Sequence, residues 1–198
     1  MLSAKTTVAT LVLGLGVGTA TAADFAAAPP PTSYAPVGSF LSGWEVRAGG
    51  FISTWGPEKG EPNINVEIVT PKPFHLDGWA DYLVPRLHAG GMVNVGGGTD
   101  YAYFGPMWTA SYEKIFADFY LGGALQDGQI QGHYTNPNLN KMGCRVLFHV
   151  GWEVGYQLTD NWSVMATFDH ISNGSGTLSN CGRNEGVSVL GARVGYRF

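Results

Sequence analysis

The sequence predicts an all-β protein, an eight-stranded antiparallel transmembrane β-barrel over residues 44–198. Three observations point there. From Trp44 onward apolar and polar side chains alternate with a period of two, with no run of helical period; this is how a strand shows different faces to different surroundings. The polar faces collect Glu45, Arg47, Glu67, Arg86, Asp118, Arg145, Glu153, Asp169, Arg193 and Arg197, while the apolar faces of the clear strands carry no charge. Acids balanced by arginines suit a narrow interior in which side chains must pair. Trp44, Tyr156, Trp162 and Tyr196 fall on apolar faces near one set of strand ends, where an aromatic girdle would meet lipid headgroups. A soluble lipocalin-like barrel, the structural alternative, would turn the same faces the other way.

Composition agrees. Charged residues make up 13% of the chain and glycines number 29, whereas about a quarter of a soluble protein's residues are charged. The net charge is −4 and no Lys/Arg cluster exists, which argues against nucleic acid as a partner class. Residues 1–22 read as a secretory signal: Lys5 gives a thin basic start, Val8–Val17 an apolar core, and Ala20-Thr21-Ala22 a small-residue cleavage site. No later stretch reaches the roughly 18 consecutive apolar residues of a spanning helix. Residues 23–43, with Ala26–Pro36 (AAAPPPTSYAP), form a Pro/Ala-rich linker. In an exported chain Cys144 and Cys181 are expected to pair as a disulfide, two separate thiols being the alternative.

The first strand covers about Trp44–Thr54, with Val46, Ala48 and Ile52 opposed to Glu45, Arg47, Phe51 and Ser53. The second, Asn63–Thr70, ends at Pro71 and Pro73, because proline cannot donate to a ladder. The third, Leu83–Val95, sets Leu87 and Val93 against Arg86, His88 and Asn94, and Gly96–Gly98 turns the chain. The fourth, Asp100–Ala110, is aromatic on both sides, which leaves its facing open. Ser111–Lys114 is a turn into the fifth, Ile115–Gln126, and a long polar loop spans Asp127–Gly143. The sixth is Cys144–Gln157, with His149 and Glu153 on the polar side. Thr159–Asn161 makes a tight turn into the seventh at Trp162, and the eighth runs Val187–Phe198. His88 and His149 read as interior polar residues, since no further ligand at metal spacing accompanies them.

The seventh strand carries the candidate chemistry. Trp162, Val164, Ala166 and Phe168 give it a greasy face that ends in His170 and Ser172, just before a Gly-rich loop. Two positions along one strand face are about 6.6 Å of rise, close enough for a histidine nitrogen to reach a hydroxyl. A serine with an adjacent histidine base is the minimum for nucleophilic ester cleavage. The bland account of the same pair is a polar strand end at the headgroup boundary.

The run Asp169-His170-Ile171-Ser172-Asn173-Gly174, then Asn184-Glu185-Gly186 and a last strand closing on Gly195-Tyr196-Arg197-Phe198, resembles the lipid A 3-O-deacylase (acyloxyacyl hydrolase-like) outer-membrane barrels. The resemblance implies a serine esterase of the bacterial outer membrane that removes the 3-O-linked acyl chain of lipid A in the outer leaflet, without metal or cofactor. It implies a His170/Ser172 dyad with Ser172 as nucleophile and His170 as base, and Asn173 with backbone N–H groups at the oxyanion. Its partners would be lipopolysaccharide and outer-membrane lipids. The family's acid would fall at Ser188, which is not an acid; Glu185 in the preceding loop is a possible substitute, while Asp169 has interior parity. The rival function is a non-catalytic surface barrel with an adhesive or structural role.

Overall fold

The computed structural model describes residues 42–174, 181–182 and 185–198. The expected signal segment and all but the end of the linker lie outside the described residues. From there the chain forms β1 (Glu45–Ser53), β2 (Pro62–Val69), β3 (Arg86–Asn94), β4 (Tyr101–Tyr112) and β5 (Ile115–Gln126). It continues through two short strands, β6 (Gln129–Ile130) and β7 (Lys141–Gly143), then β8 (Val146–Gln157), β9 (Trp162–Ser172) and β10 (Val187–Arg197). Eight of these close a barrel in the order β1-β10-β9-β8-β5-β4-β3-β2, while β6 and β7 pair with each other. All neighbours in the barrel wall are antiparallel.

The oily side of this cylinder is its outside. Val46, Ile52, Ile64, Val66, Ile68, Leu121, Val154, Trp162, Leu190 and Val194 are exposed, whereas Arg47, Arg86, Glu153, Asp169 and Arg193 are at most 1% exposed. An apolar belt that is continuous around a closed wall is stable only in hydrocarbon. The bore is filled by ion pairs. Arg47 donates from Nε to Glu45 at 2.9 Å and from Nη1 to Asp118 at 3.0 Å, and it also contacts Glu153. Arg193 reaches Glu153 at 3.2 Å, and Arg86 reaches Glu45 at 3.0 Å. Glu67 and Asp169 take His88 (3.0 Å) and His149 (2.9 Å).

Some sequence expectations need correction. The facing of β4 is settled by its hydroxyls: Tyr101 donates to Asp169 at 2.8 Å and Tyr103 to Glu67 at 3.0 Å, both in the bore, while Phe104 points out. Arg145 is not an interior residue. The strand starts two residues later than expected, at Val146, and exposed Arg145 donates to the Gln126 and Gly128 carbonyls outside the ladder. Interior glycines make room for the bulky rings of their cross-strand neighbours: a Cβ at Gly90 would collide with Tyr103, and one at Gly151 with Tyr120.

The two rims differ. One carries the start of β1, the end of β10 and the tight turns at residues 113–114 and 158–161. It also carries a longer connection after β2, where a 3-10 helix spans Gly78–Leu83 and Trp108 Nε1 donates to the Leu83 carbonyl at 3.1 Å. Lys72 Nζ lies 2.7 Å from Asp81 Oδ2 and holds that carboxyl below the usual carboxylate range. Phe74, Leu76, Trp79, Tyr82 and Leu83 of this connection are exposed. The opposite rim is closed by knitted loops. Buried Glu58, after β1, accepts the Thr99 N–H (3.0 Å) and hydroxyl (2.7 Å) from the β3–β4 loop, and the Asn140 N–H (2.9 Å) from the loop after β5.

Candidate active site

His170 and Ser172 lie on the outer face of β9 at the loop-bearing rim, both half-buried. The alternation that places four apolar side chains below them forces this parity, because Asp169 and Ile171, on either side of His170, are fully buried on the other face. On the neighbouring strand, Ser188 stands directly opposite His170 in the ladder, and His170 Nδ1 is 2.7 Å from Ser188 Oγ. The Ser188 backbone is itself held: its carbonyl accepts from the Thr54 N–H at 2.8 Å and the Thr54 hydroxyl at 3.0 Å.

Ser172 occupies an open rung. Phe148 of β8 is its partner on one side, but β10 begins at Val187, opposite Ile171. In the vacant place is Gly186, with φ +65°. A Cβ there would stand 2.8 Å from the Ile171 carbonyl oxygen, 3.0 Å from His170 Cε1 and 3.5 Å from Ser172 Cβ. The His170 imidazole and the Ser172 Cβ therefore flank the same backbone position. Nδ1 is turned to Ser188, and the other ring nitrogen, Nε2, is bonded to the same Cε1 that faces Gly186.

The loop after β5 holds that backbone in place. Asn140 Nδ2 donates to the Gly186 carbonyl at 2.7 Å, and Lys141 and Glu185 exchange two bonds: Lys141 N–H to the Glu185 carboxylate at 2.8 Å, and Glu185 N–H to the Lys141 carbonyl at 2.7 Å. A Cys144–Cys181 disulfide, with Cα atoms 5.4 Å apart, joins the same two loops. Asn173, just past Ser172, is 1% exposed. Asp169 cannot serve His170, since it faces the bore and is bonded to His149 and Tyr101.

Below the pair the wall is apolar. Trp152, Phe168 and Leu190 share the rung two positions nearer the barrel's middle, and the Trp152 and Phe168 rings stack at 6.0 Å. A nucleophile and a base at the lip of such a surface can act on a carbonyl whose chain lies along it. Among the described residues no group of His, Cys, Asp and Glu side chains could hold a metal ion. Sequence reasoning missed Thr54 and Asn140, since nothing local marks either residue.

Residues 64–197 match the family described as Lipid A 3-O-deacylase (PagL). The chain belongs to that family. The crystal structure of the outer membrane enzyme PagL is similar to it in fold, with a TM-score of 0.54 at 16% identity, covering 78% of this chain and 99% of that one. The N-terminal β-barrel domain of Pseudomonas aeruginosa OprF also resembles it, with a TM-score of 0.51 at 14% identity, over 80% of this chain and 98% of that one. No curated protein matches the sequence. The protein is thus a lipid A 3-O-deacylase family member with the fold of bacterial outer-membrane barrels. In this deacylase family barrel, the match covers His170, Ser172 and Ser188 but begins after Thr54, which clamps Ser188 from β1.

Proposed function

We propose that the protein hydrolyses the ester that holds the 3-linked acyl chain of lipid A, working from the outer leaflet. The observation that carries this reading is the convergence of His170 and Ser172 beside Gly186, on the lipid side of the barrel wall. With the chain ends in the periplasm, the loop-bearing rim lies at the outer leaflet, where lipid A resides. Ser172 Oγ attacks the ester carbonyl carbon while His170 Nε2 takes its proton. Asn173 and backbone N–H groups beside it stabilise the oxyanion of the tetrahedral intermediate. His170 then gives its proton to the departing sugar hydroxyl, leaving an acyl-serine. Water, deprotonated by the same histidine, releases the fatty acid. The stacked Trp152 and Phe168 and the Leu190 side chain offer the acyl chain an apolar track below the reacting carbonyl.

Mass spectrometry of lipid A from cells expressing the wild type or Ser172→Ala tests the reading. Loss of one 3-linked acyl chain with the wild type alone is the expected result. Unchanged lipid A in both strains, with the barrel folded in the membrane, would favour a surface barrel without catalysis.

Gly186 provides a geometric check. Gly186→Ala is expected to lower the rate at least about tenfold with the barrel intact, because the new Cβ is strained at φ +65° and presses on His170. Gly60→Ala, equally left-handed at φ +91° but with nothing within 4 Å, should retain full activity. Equal rates in the two variants would mean that the position of Gly186 does not bear on the reaction.

A further inference from the structure

A histidine that acts as base needs its other nitrogen held. Ser-His-acid triads use a carboxylate there, which keeps Nδ1 protonated and steadies the imidazolium that forms. Here the group on Nδ1 is the Ser188 hydroxyl, at 2.7 Å. We propose that Ser188 is the positioning residue for His170, an uncharged hydroxyl doing the orienting that a carboxylate does in such triads. This rests on the reading of His170 as base and Ser172 as nucleophile.

Three features support it. The contact belongs to the ladder rather than to a loop: Ser188 and His170 are direct cross-strand partners, so the register of β9 against β10 sets it. The Ser188 backbone is fixed from its other side by the two bonds from Thr54, which anchors the residue that carries the hydroxyl. The nearby acids are engaged elsewhere: Asp169 bonds His149 and Tyr101 in the bore, and Glu185 puts its carboxylate on the Lys141 N–H.

A hydroxyl in this place has chemical consequences. When Ser188 Oγ accepts from Nδ1–H, Nε2 is left unprotonated and able to accept a proton, which is the productive tautomer for a base. A hydroxyl can also donate to Nδ1, however, and then Nε2 carries the proton and cannot act as base. A carboxylate accepts only. Ser188 also brings no charge to offset the imidazolium. The arrangement therefore gives a working but slower dyad. In exchange, a hydroxyl is less costly than a carboxylate to hold on the lipid side of a barrel wall.

The test uses the purified full-length barrel, refolded in detergent micelles with lipid A as substrate, with kcat and KM measured separately. Ser188→Ala is expected to lower kcat about tenfold with KM unchanged. The near-isosteric pair Ser188→Thr and Ser188→Val separates the hydroxyl from packing: Thr should stay within about twofold of the wild type, and Val should fall with Ala. Ser188→Glu should exceed the wild-type kcat, and Glu185→Gln should lower it less than Ser188→Ala does. A Ser188→Ala or Ser188→Val enzyme as fast as the wild type, beside an inactive Ser172→Ala, would overturn the role of Ser188 and leave the deacylase reading standing. In that outcome the Val187 carbonyl, which also lies beside the ring, would suffice. A fall in kcat with Glu185→Gln but not with Ser188→Ala would overturn it in favour of Glu185. A Ser172→Ala enzyme as active as the wild type would instead sink the reading of the dyad itself.

Discussion

His170→Gln is expected to lower kcat by about 10³–10⁴-fold, with KM nearly unchanged, when the purified barrel is assayed on lipid A. A positioned general base contributes about 10²–10⁴-fold, and in the mechanism proposed above the same imidazole serves twice, first toward Ser172 and then toward water. Glutamine is close in size and can still bond Ser188 across the ladder, so the β9–β10 pairing survives. What it cannot do is accept a proton at neutral pH. At about 1.36 kcal/mol per tenfold, the loss is about 4–5.5 kcal/mol of transition-state stabilisation. Groups that act as one unit are not additive, so the double variant His170→Gln, Ser172→Ala should be no slower than the worse single one. Additive losses would mean that the two residues contribute independently, and the dyad would have to be abandoned.

Arg47→Ala should produce the largest loss of stability, about 3–5 kcal/mol, the usual cost of stripping one partner from a buried ion pair. Arg47 is fully buried and holds Glu45 through Nε, Asp118 through Nη1 at 3.0 Å, and Glu153. Alanine leaves these carboxylates facing one another in a space closed to solvent. Urea unfolding of the barrel in lipid vesicles, followed by tryptophan fluorescence, reads the effect as a lower midpoint. Arg47→Lys should fall between, since a point charge cannot span Glu45 and Asp118 in the way a planar guanidinium does. Combining Arg47→Met with Glu153→Gln should recover part of the loss, because both members of one pair are then neutral. A wild-type midpoint for Arg47→Ala would show that the hydrogen-bonded wall alone sets the stability.

Much of the fold is legible in the sequence alone. Parity needs only neighbouring residues: Glu45, Arg47 and Asp169 were separable from Val46, Ala48 and His170 by counting in twos, and the wall places them on opposite sides as counted. Counting in twos failed where it had no contrast to use. In β4 both parities are aromatic, and only the reach of the Tyr101 and Tyr103 hydroxyls to Asp169 and Glu67 decides which face is the bore. It failed again at Arg145, because the strand starts where the partner's ladder starts, and that is a property of two segments at once. The 3-10 helix at Gly78–Leu83 and the short β6–β7 pair escaped for another reason: each is too short to show a period.

The candidate site divides in the same way. His170, Ser172 and Asn173 sit within four consecutive residues and could be found from their order alone. Ser188 was visible as a serine where the resembling family has an acid, but its contact with His170 was not. Gly186 beside the pair, Thr54 on the Ser188 carbonyl and Asn140 on the Gly186 carbonyl come from separate loops and strands.

By itself the sequence determined which side chains share a face, since the pleat turns every second residue the same way whatever lies across from it. Only the tertiary structure decided which residues stand opposite one another. Cross-strand register depends on how all eight strands slide to close the barrel, and no single segment carries that information.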